Sequence, residues 1–248
     1  MKIRKLSWKK WLAGVLVIVV LILIFGYIFL RMNTYEAMPE ATAFLEESEV
    51  TSDQDWITVT PEEIEEHIVL YQGGLVETEA YLPLAKKLSD EGYQVFIPHM
   101  PLNLAILDSD IIDEIKEGHP SDKEWWLAGH SLGGASASIY AKENHEEIEG
   151  VIFLAAYPSD DSELSELSLS LSVLSITGSN DGILNKDQYN ETRSLLPDDA
   201  KFKVIQGGNH SNFGHYGFQE GDGDSEISRE QQQNEIVKYI DDFITEER

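Results

Sequence analysis

The chain has 248 residues, 42% of them hydrophobic, which is enough for an anchor segment and one domain of ordinary size with a substantial core. It contains no cysteine, which excludes disulfides, thiolate metal sites, a lipidated cysteine and a cysteine nucleophile. Residues 1–31 carry six basic residues and no acid, so residues 32–248 hold 12 basic against 45 acidic residues, a net of −33; such a surface repels nucleic acid and anionic headgroups and argues against a polyanionic substrate.

Trp11 to Leu30 is an uncharged run of 20 residues. At 1.5 Å rise per residue, about 20 helical residues cross a hydrocarbon core of ~30 Å. Trp8 and Trp11 stand at one end and Tyr27 near the other, where aromatic belts form. Lys2, Arg4, Lys5, Lys9 and Lys10 precede the run, while Arg31 alone among basic residues follows it closely, before Glu36, Glu40, Glu46, Glu47 and Glu49. By the positive-inside rule, residues 1–10 are expected to be a cytoplasmic tail, 11–30 a membrane anchor, 31–50 an acidic linker, and 51–248 a domain outside the cell membrane. The competing reading is a cleaved signal peptide. Its apolar region is usually roughly 7–15 residues, shorter than this run. The small-x-small tripeptide Ala41-Thr42-Ala43 also lies well past the apolar run.

From residue 55 onward, short apolar runs alternate with amphipathic stretches, the pattern of βαβ units in a mostly parallel sheet. Strands are expected at 55–60, 67–72, 93–98, 124–128, 149–156, 169–177 and 201–206. Helices are expected at 77–90, 103–117, 132–143, 185–196 and 231–245, the last with Ile236, Tyr239, Ile240 and Phe243 on its inner face. Residues 159–169 are too few and too polar to fold into a cap, so the site is expected to be open. Residues 219–230 are rich in Gly and Asp. Asp222, Asp224 and Glu226 do not fit the twelve-residue calcium loop, and a solvated loop is expected there.

The pattern carrying chemistry is Gly129-His130-Ser131-Leu132-Gly133, a G-x-S-x-G between the strand at 124–128 and the helix at 132–143. A sharp strand-to-helix turn needs little bulk around the serine, which the two glycines provide, and it presents the hydroxyl at the carboxyl edge of the sheet. The bland alternative, a serine N-cap, needs neither the glycines nor the preceding strand. A serine hydroxyl needs a base to take its proton, and in this arrangement the acid and then the histidine follow the serine in the chain. Asp181 follows the strand at 169–177 and His210 follows the last strand. Ser131, Asp181 and His210 are thus the expected nucleophile, acid and base.

The chain has seven histidines. His215 is the main rival base and His99 a weaker one. His67 and His145 are expected to be solvated, and His130 to point away from the site. Asp160 and Asp161 are the rival acids. The backbone N–H of Leu132 and that of Gly74, with Leu75 as second choice, are the expected oxyanion donors. Tyr157, Phe213 or Leu75 are expected to line the pocket.

GHSLGG, YQGGLVETEAYLPLAKKL, IPHMPLNLAIL, GSNDGI and GGNHSNFGHYG together resemble the α/β-hydrolase superfamily, especially a bacterial lid-less branch often labelled family 5. The resemblance covers roughly residues 55–248. It implies an α/β-hydrolase fold with helices on both faces and little or no cap, the triad Ser131, Asp181 and His210, and activity similar to that of carboxylesterases and dienelactone-type hydrolases. The latter usually carry a cysteine nucleophile, so Ser131 points to ester chemistry. Where a small acid is common five residues after the catalytic histidine, this chain has His215. The expected partners are a small-molecule acyl substrate and, through the anchor, a lipid bilayer; no nucleic acid, metal or organic cofactor is expected. Thioester or amide hydrolysis, and a non-catalytic binding protein on the same fold, are the alternatives.

Overall fold

A computed structural model describes residues 8–167 and 170–247. Residues 1–7 of the expected basic tail, and Leu169 at the start of an expected strand, lie outside the described residues. The chain divides into two compact units between Thr34 and Tyr35.

The first unit is α1 (Trp8–Met32). Its Trp11–Met32 portion is long and apolar enough to cross a membrane, a test that a signal sequence also passes. Its large side chains are exposed all round, Leu23 at 66% and Phe25 at 71%, as a helix apolar on every face requires when no protein covers it.

The second unit begins earlier than expected. In place of an acidic linker to residue 50, Tyr35 forms a parallel bridge with Val76, α2 (Pro39–Thr42) buries Ala41 completely, and β1 (Val50–Ser52) opens the sheet. The apolar residues Tyr35, Ala37, Phe44 and Leu45 pack on the core, while Glu36, Glu40 and Glu46 stay exposed. The acids dominate the composition of this segment, but the apolar positions between them decide its place.

Seven further strands follow: β2 (Trp56–Val59), β3 (Glu66–Tyr71), β4 (Tyr93–Pro98), β5 (Trp125–His130), β6 (Gly150–Leu154), β7 (Ser172–Gly178) and β8 (Lys201–Ile205). The sheet order is β1-β2-β4-β3-β5-β6-β7-β8. β1 and β2 pair antiparallel, β2 pairs antiparallel with β4, and the rest run parallel. The helices are α3 (Leu82–Asp90), α4 (Ile111–Gly118), α5 (Leu132–Asn144), α6 (Lys186–Thr192) and α7 (Arg229–Glu247).

Alternate residues of the central strands serve two cores. Ile68 and Leu70 of β3 join α3 and α7 residues such as Leu84, Leu88, Ile236 and Ile240 on one face. Val69 and Tyr71 join Ile112 and Ile115 of α4 and Ala137 and Tyr140 of α5 on the other. Each such Ile or Leu removed from water contributes roughly 1.5–3 kcal/mol. This two-sided burial is why β3, β5 and β6 read as continuous apolar runs.

The helix expected at 103–117 shortens to α4. Leu102 and Asn103 have positive φ (55° and 56°), and a 3₁₀ turn at Ala105–Leu107 precedes the helix. The helix expected at 77–90 starts as a 3₁₀ turn, Thr78–Tyr81, and becomes α-helical at Leu82, with Pro83 in its first turn, where a missing N–H is tolerated. Between β6 and β7 the described residues hold one 3₁₀ turn, Ser165–Leu167, and no cap.

Two histidines expected in solvent are not there. His67 is buried, its ring stacked 4.2 Å from that of Trp125, and burial pulls its pKa down to about 4. A histidine at the start of a strand falls inside the core when that strand is central. His145 is half-buried.

Candidate active site

The three expected catalytic residues all follow strands at the carboxyl edge of the sheet. Ser131 sits between β5 and α5 with φ 51° and ψ −118°, a backbone that costs a residue with a side chain of order 1–3 kcal/mol. The surroundings enforce it. A Cβ on Gly129 would lie 2.3 Å from the Gly133 carbonyl carbon, and a Cβ on Gly133 would lie 2.4 Å from the Tyr71 carbonyl oxygen. Glycine at both positions lets the turn close against β3. Ser131 N–H donates to the Leu154 carbonyl (3.0 Å), and its carbonyl accepts from Gly134 N–H (3.0 Å).

Asp181, three residues past β7, and His210, five past β8, are buried and in contact: Nδ1 of His210 lies 2.9 Å from Oδ2 of Asp181. The other oxygen, Oδ1, accepts from Ile183 N–H (2.9 Å) and Leu184 N–H (2.8 Å). Both carboxylate oxygens are therefore engaged, and the ring can turn only its Nε2 elsewhere. Ser131 and His210 line one cavity of about 250 Å³, with Leu132, Ala135, Ala155, Ala156, Tyr157, Ile183, Leu184 and Asn185 completing its wall. The Ser131 hydroxyl is not hydrogen-bonded to His210 here; in unliganded sites this contact is often long.

Of the expected lining residues, Tyr157 faces this cavity, whereas Phe213 and Leu75 do not. Phe213 is fully buried and stacks on His130, and Leu75 turns back on a positive φ (59°) with its N–H given to the Asn103 carbonyl (2.7 Å). That bond also removes Leu75 as a free donor. Gly73 N–H is taken by the Tyr81 hydroxyl (2.8 Å). Among the described contacts, the N–H groups of Gly74 and Leu132 have no acceptor, and a Cβ on Gly74 would sit 3.1 Å from a Leu132 methyl.

The rival residues are occupied elsewhere. His215 meets the Gln233 side-chain nitrogen through Nδ1 (3.1 Å); burial, then Arg229, brings its pKa down to about 4. Asp160 accepts from Gln188 (2.5 Å), and Asp161 is exposed with its carbonyl bonded to Lys142 (2.6 Å). His99 is half-buried after β4, outside the cavity wall.

Three neighbours were not anticipated. His130 does not turn away from the site. Its ring lies 4.6 Å from that of His210, and Nδ1 is 2.8 Å from the Tyr81 hydroxyl. Burial, reinforced by His210, holds His130 well below the usual histidine range, so it is neutral. Tyr81 links His130 to Gly73. Asp222, assigned above to a solvated loop, is half-buried, and its carboxylate accepts from Gly182, Ser211 and His210. Burial pushes its carboxyl up, but these bonds outweigh that and keep it below the ordinary value. A lone Asp between glycines is the one sequence signal for such a role. Among the described residues, no group of three or more His, Asp or Glu could hold a metal ion.

A sequence profile of the alpha/beta hydrolase family matches residues 67–234. Solved structures similar to this one include a predicted CIB-like hydrolase from Thermoplasma acidophilum (TM-score 0.58, 14% identity, covering 75% of this chain and 91% of that one). A carboxylesterase, CesB, from Bacillus subtilis has a TM-score of 0.57 at 13% identity, covering 89% of this chain and 97% of that one. A dienelactone hydrolase from Anabaena variabilis has a TM-score of 0.56 at 16% identity, covering 77% and 90%. At these identities the likeness is one of fold. No curated protein matches the chain significantly. With strand order, helices on both faces and the serine turn in agreement with a profile spanning most of its length, the chain belongs to the alpha/beta hydrolase family.

Proposed function

We propose that this protein is a membrane-anchored serine hydrolase that cleaves a neutral acyl ester through Ser131, His210 and Asp181. One observation carries the reading: a buried histidine–carboxylate pair, 2.9 Å apart, opens on the same cavity as a serine held on a strained strand-to-helix turn. In this reading His210, its Nδ1–H directed to Asp181, takes the Ser131 proton at Nε2 as the hydroxyl oxygen attacks the ester carbonyl. Gly74 and Leu132 donate N–H groups to the developing oxyanion. The protonated ring then gives its proton to the leaving alcohol. Water, deprotonated by the same nitrogen, attacks the acyl-enzyme, releases the acid and restores Ser131.

The cavity supports the substrate class. Apart from His210, the lining holds no acidic or basic side chain, and Ala135, Ala155, Ala156, Ile183 and Leu184 make its wall apolar. At about 250 Å³ it falls below the roughly 300–1,000 Å³ of pockets that enclose drug-sized ligands. A short, uncharged acyl group suits it, and a substrate carboxylate would meet no cation.

The anchor reading rests on the apolar Trp11–Met32 helix and the basic residues before it. It places residues 1–10 in the cytoplasm and the catalytic domain outside. Labelling by a fluorophosphonate probe tests the enzyme reading. Covalent modification at Ser131, blocked by prior incubation with a short ester, is expected. A folded protein that resists the probe and hydrolyses no ester would favour a binding protein on this fold.

A further inference from the structure

We propose that Asp222 is a positioning residue for the catalytic base, its carboxylate tying the Asp181 loop to the His210 loop; this rests on the hydrolase reading above. Oδ1 accepts from the N–H of Gly182 (3.1 Å), of His210 (3.3 Å) and of its own neighbour Gly223 (2.8 Å). Oδ2 accepts from the N–H (2.7 Å) and the hydroxyl (2.6 Å) of Ser211. Gly182 follows the triad acid directly, and His210 is the base. One side chain thus holds the backbone on both sides of the Asp181–His210 bond.

Only an ionised carboxylate fills this place. It offers two oxygens with about four acceptor sites and no donor, and it meets five donors. An amide of the same shape would aim its NH₂ at one of these donor sets. Charge-assisted bonds of this kind are about twice as strong as neutral ones. The three loops also touch through their backbones. A Cβ on Gly223 would lie 2.0 Å from the Asn180 carbonyl oxygen, and one on Gly182 would lie 2.7 Å from that of Gly221. Asn180 donates its side-chain amide to the Asp224 carbonyl (3.0 Å), and Asn209 donates to that of Gly223 (2.9 Å). Asp222 therefore sits where the three loops meet. The titratable groups around His210 are Asp181, bonded to it, His130, neutral against its ring, and Asp222 behind its backbone. The Asp222 charge adds to that of Asp181 in favouring the imidazolium formed during the reaction.

The test is Asp222→Asn in the full chain. It is isosteric, and so spares the fold more than deletion of the side chain, which would strand Gly182, His210 and Ser211. A displacement of ~1 Å at a catalytic group can cost ~10²-fold in rate, so kcat for a short ester should fall by about 30-fold or more, with KM changed by less than about threefold. The pH midpoint of kcat/KM should move down by about half a unit or more, since a negative charge near the base is lost. The His210 Nδ1–H resonance, read by NMR, should exchange with water faster. Ser211→Ala keeps the carboxylate, removing one of its donors and the acceptor of the Gln219 N–H (2.9 Å), and should cost less than about threefold. A folded Asp222→Asn protein with unchanged kcat, pH midpoint and His210 resonance would overturn the proposal. Wild-type protein that is inert to esters and fluorophosphonate, while Asp222→Asn still loosens the His210 proton, would strike down the hydrolase reading and leave the positioning role standing.

Discussion

Tyr81 stands between the turn after β3 and His210, the proposed base: its hydroxyl accepts the Gly73 N–H at 2.8 Å and meets Nδ1 of His130 at 2.8 Å, and His130 packs 4.6 Å from His210. The hydroxyl has one proton and two acceptor sites, so it serves the Gly73 N–H and the neutral His130 ring at once. Tyr81→Phe should leave the buried Gly73 N–H unpaired, at a cost of about 1–3 kcal/mol in stability. Because Gly73 precedes the proposed donor Gly74, kcat should also fall by about tenfold. A melting curve and steady-state kinetics on the same preparation check both; full activity with a lowered Tm would confine Tyr81 to a structural role.

Ser131→Ala should reduce ester turnover by at least ~10³-fold, and Asp181→Asn by about 10⁴-fold in kcat. His210→Ala should be as damaging. The Asp181→Asn/His210→Ala double variant should be little worse than either single one, because the residues act as a unit. Equal and additive losses, measured at matched folding by circular dichroism, would contradict the triad.

The cavity wall offers a specificity test. Ala135→Leu fills space in a cavity of about 250 Å³, so the ratio of butyrate to acetate ester kcat/KM should fall by ~10-fold, as a methylene or two is worth about 1–3 kcal/mol in such a pocket. Tyr157→Ala should shift the ratio the other way. Ratios unmoved by either change would mean that the acyl group binds elsewhere.

Acid should destabilise the domain through His67 and His215, both brought down to about 4 by burial. Their folded values lie below the ~6.5 of an unfolded chain, so on acidification the unfolded state takes up protons first. Stability is therefore full above about pH 6.5 and declines as the pH falls toward 4, by at most about 1.4 kcal/mol per pH unit for each group. His67→Phe keeps the stack on Trp125 and removes one of the two groups, so Tm should fall less steeply between pH 6.5 and 4.5. An unchanged slope would assign the acid sensitivity to other groups.

Protease added to intact cells should release a soluble fragment of nearly the mass of residues 35–248 if the anchor reading holds. Protection until lysis would reverse the proposed topology.

The serine turn and the strand-end places of Asp181 and His210 were legible because each is a local pattern: a glycine on either side of Ser131, and Asp181 and His210 just past apolar runs. Asp222 was not, because its partners Gly182, His210 and Ser211 are brought to it by loops that composition describes only as polar. The burial of His67 is hidden for a related reason. Its neighbours Trp125 and Phe96 come from β5 and β4, and nothing near residue 67 in sequence announces them. The segment 35–50 was hidden by its acids, which face outward and carry no information about the Tyr35 and Phe44 side chains between them.

That segment also decides where the domain can be cut. Tyr35 N–H donates to the Leu75 carbonyl (2.7 Å), and Met38 N–H donates to that of His215 (2.7 Å). These two bonds hem the turn after β3 and the loop after β8 with a single stretch of chain. A fragment starting at residue 51, where composition alone would trim it, would lose both bonds together with β1 residue Val50 and the packing of Ala41. It would leave open seams beside Gly74 and five residues beyond His210. The smallest piece that keeps the proposed activity should therefore begin at Tyr35 or before, and shortening it residue by residue through Met38 should erase ester hydrolysis before it erases the fold.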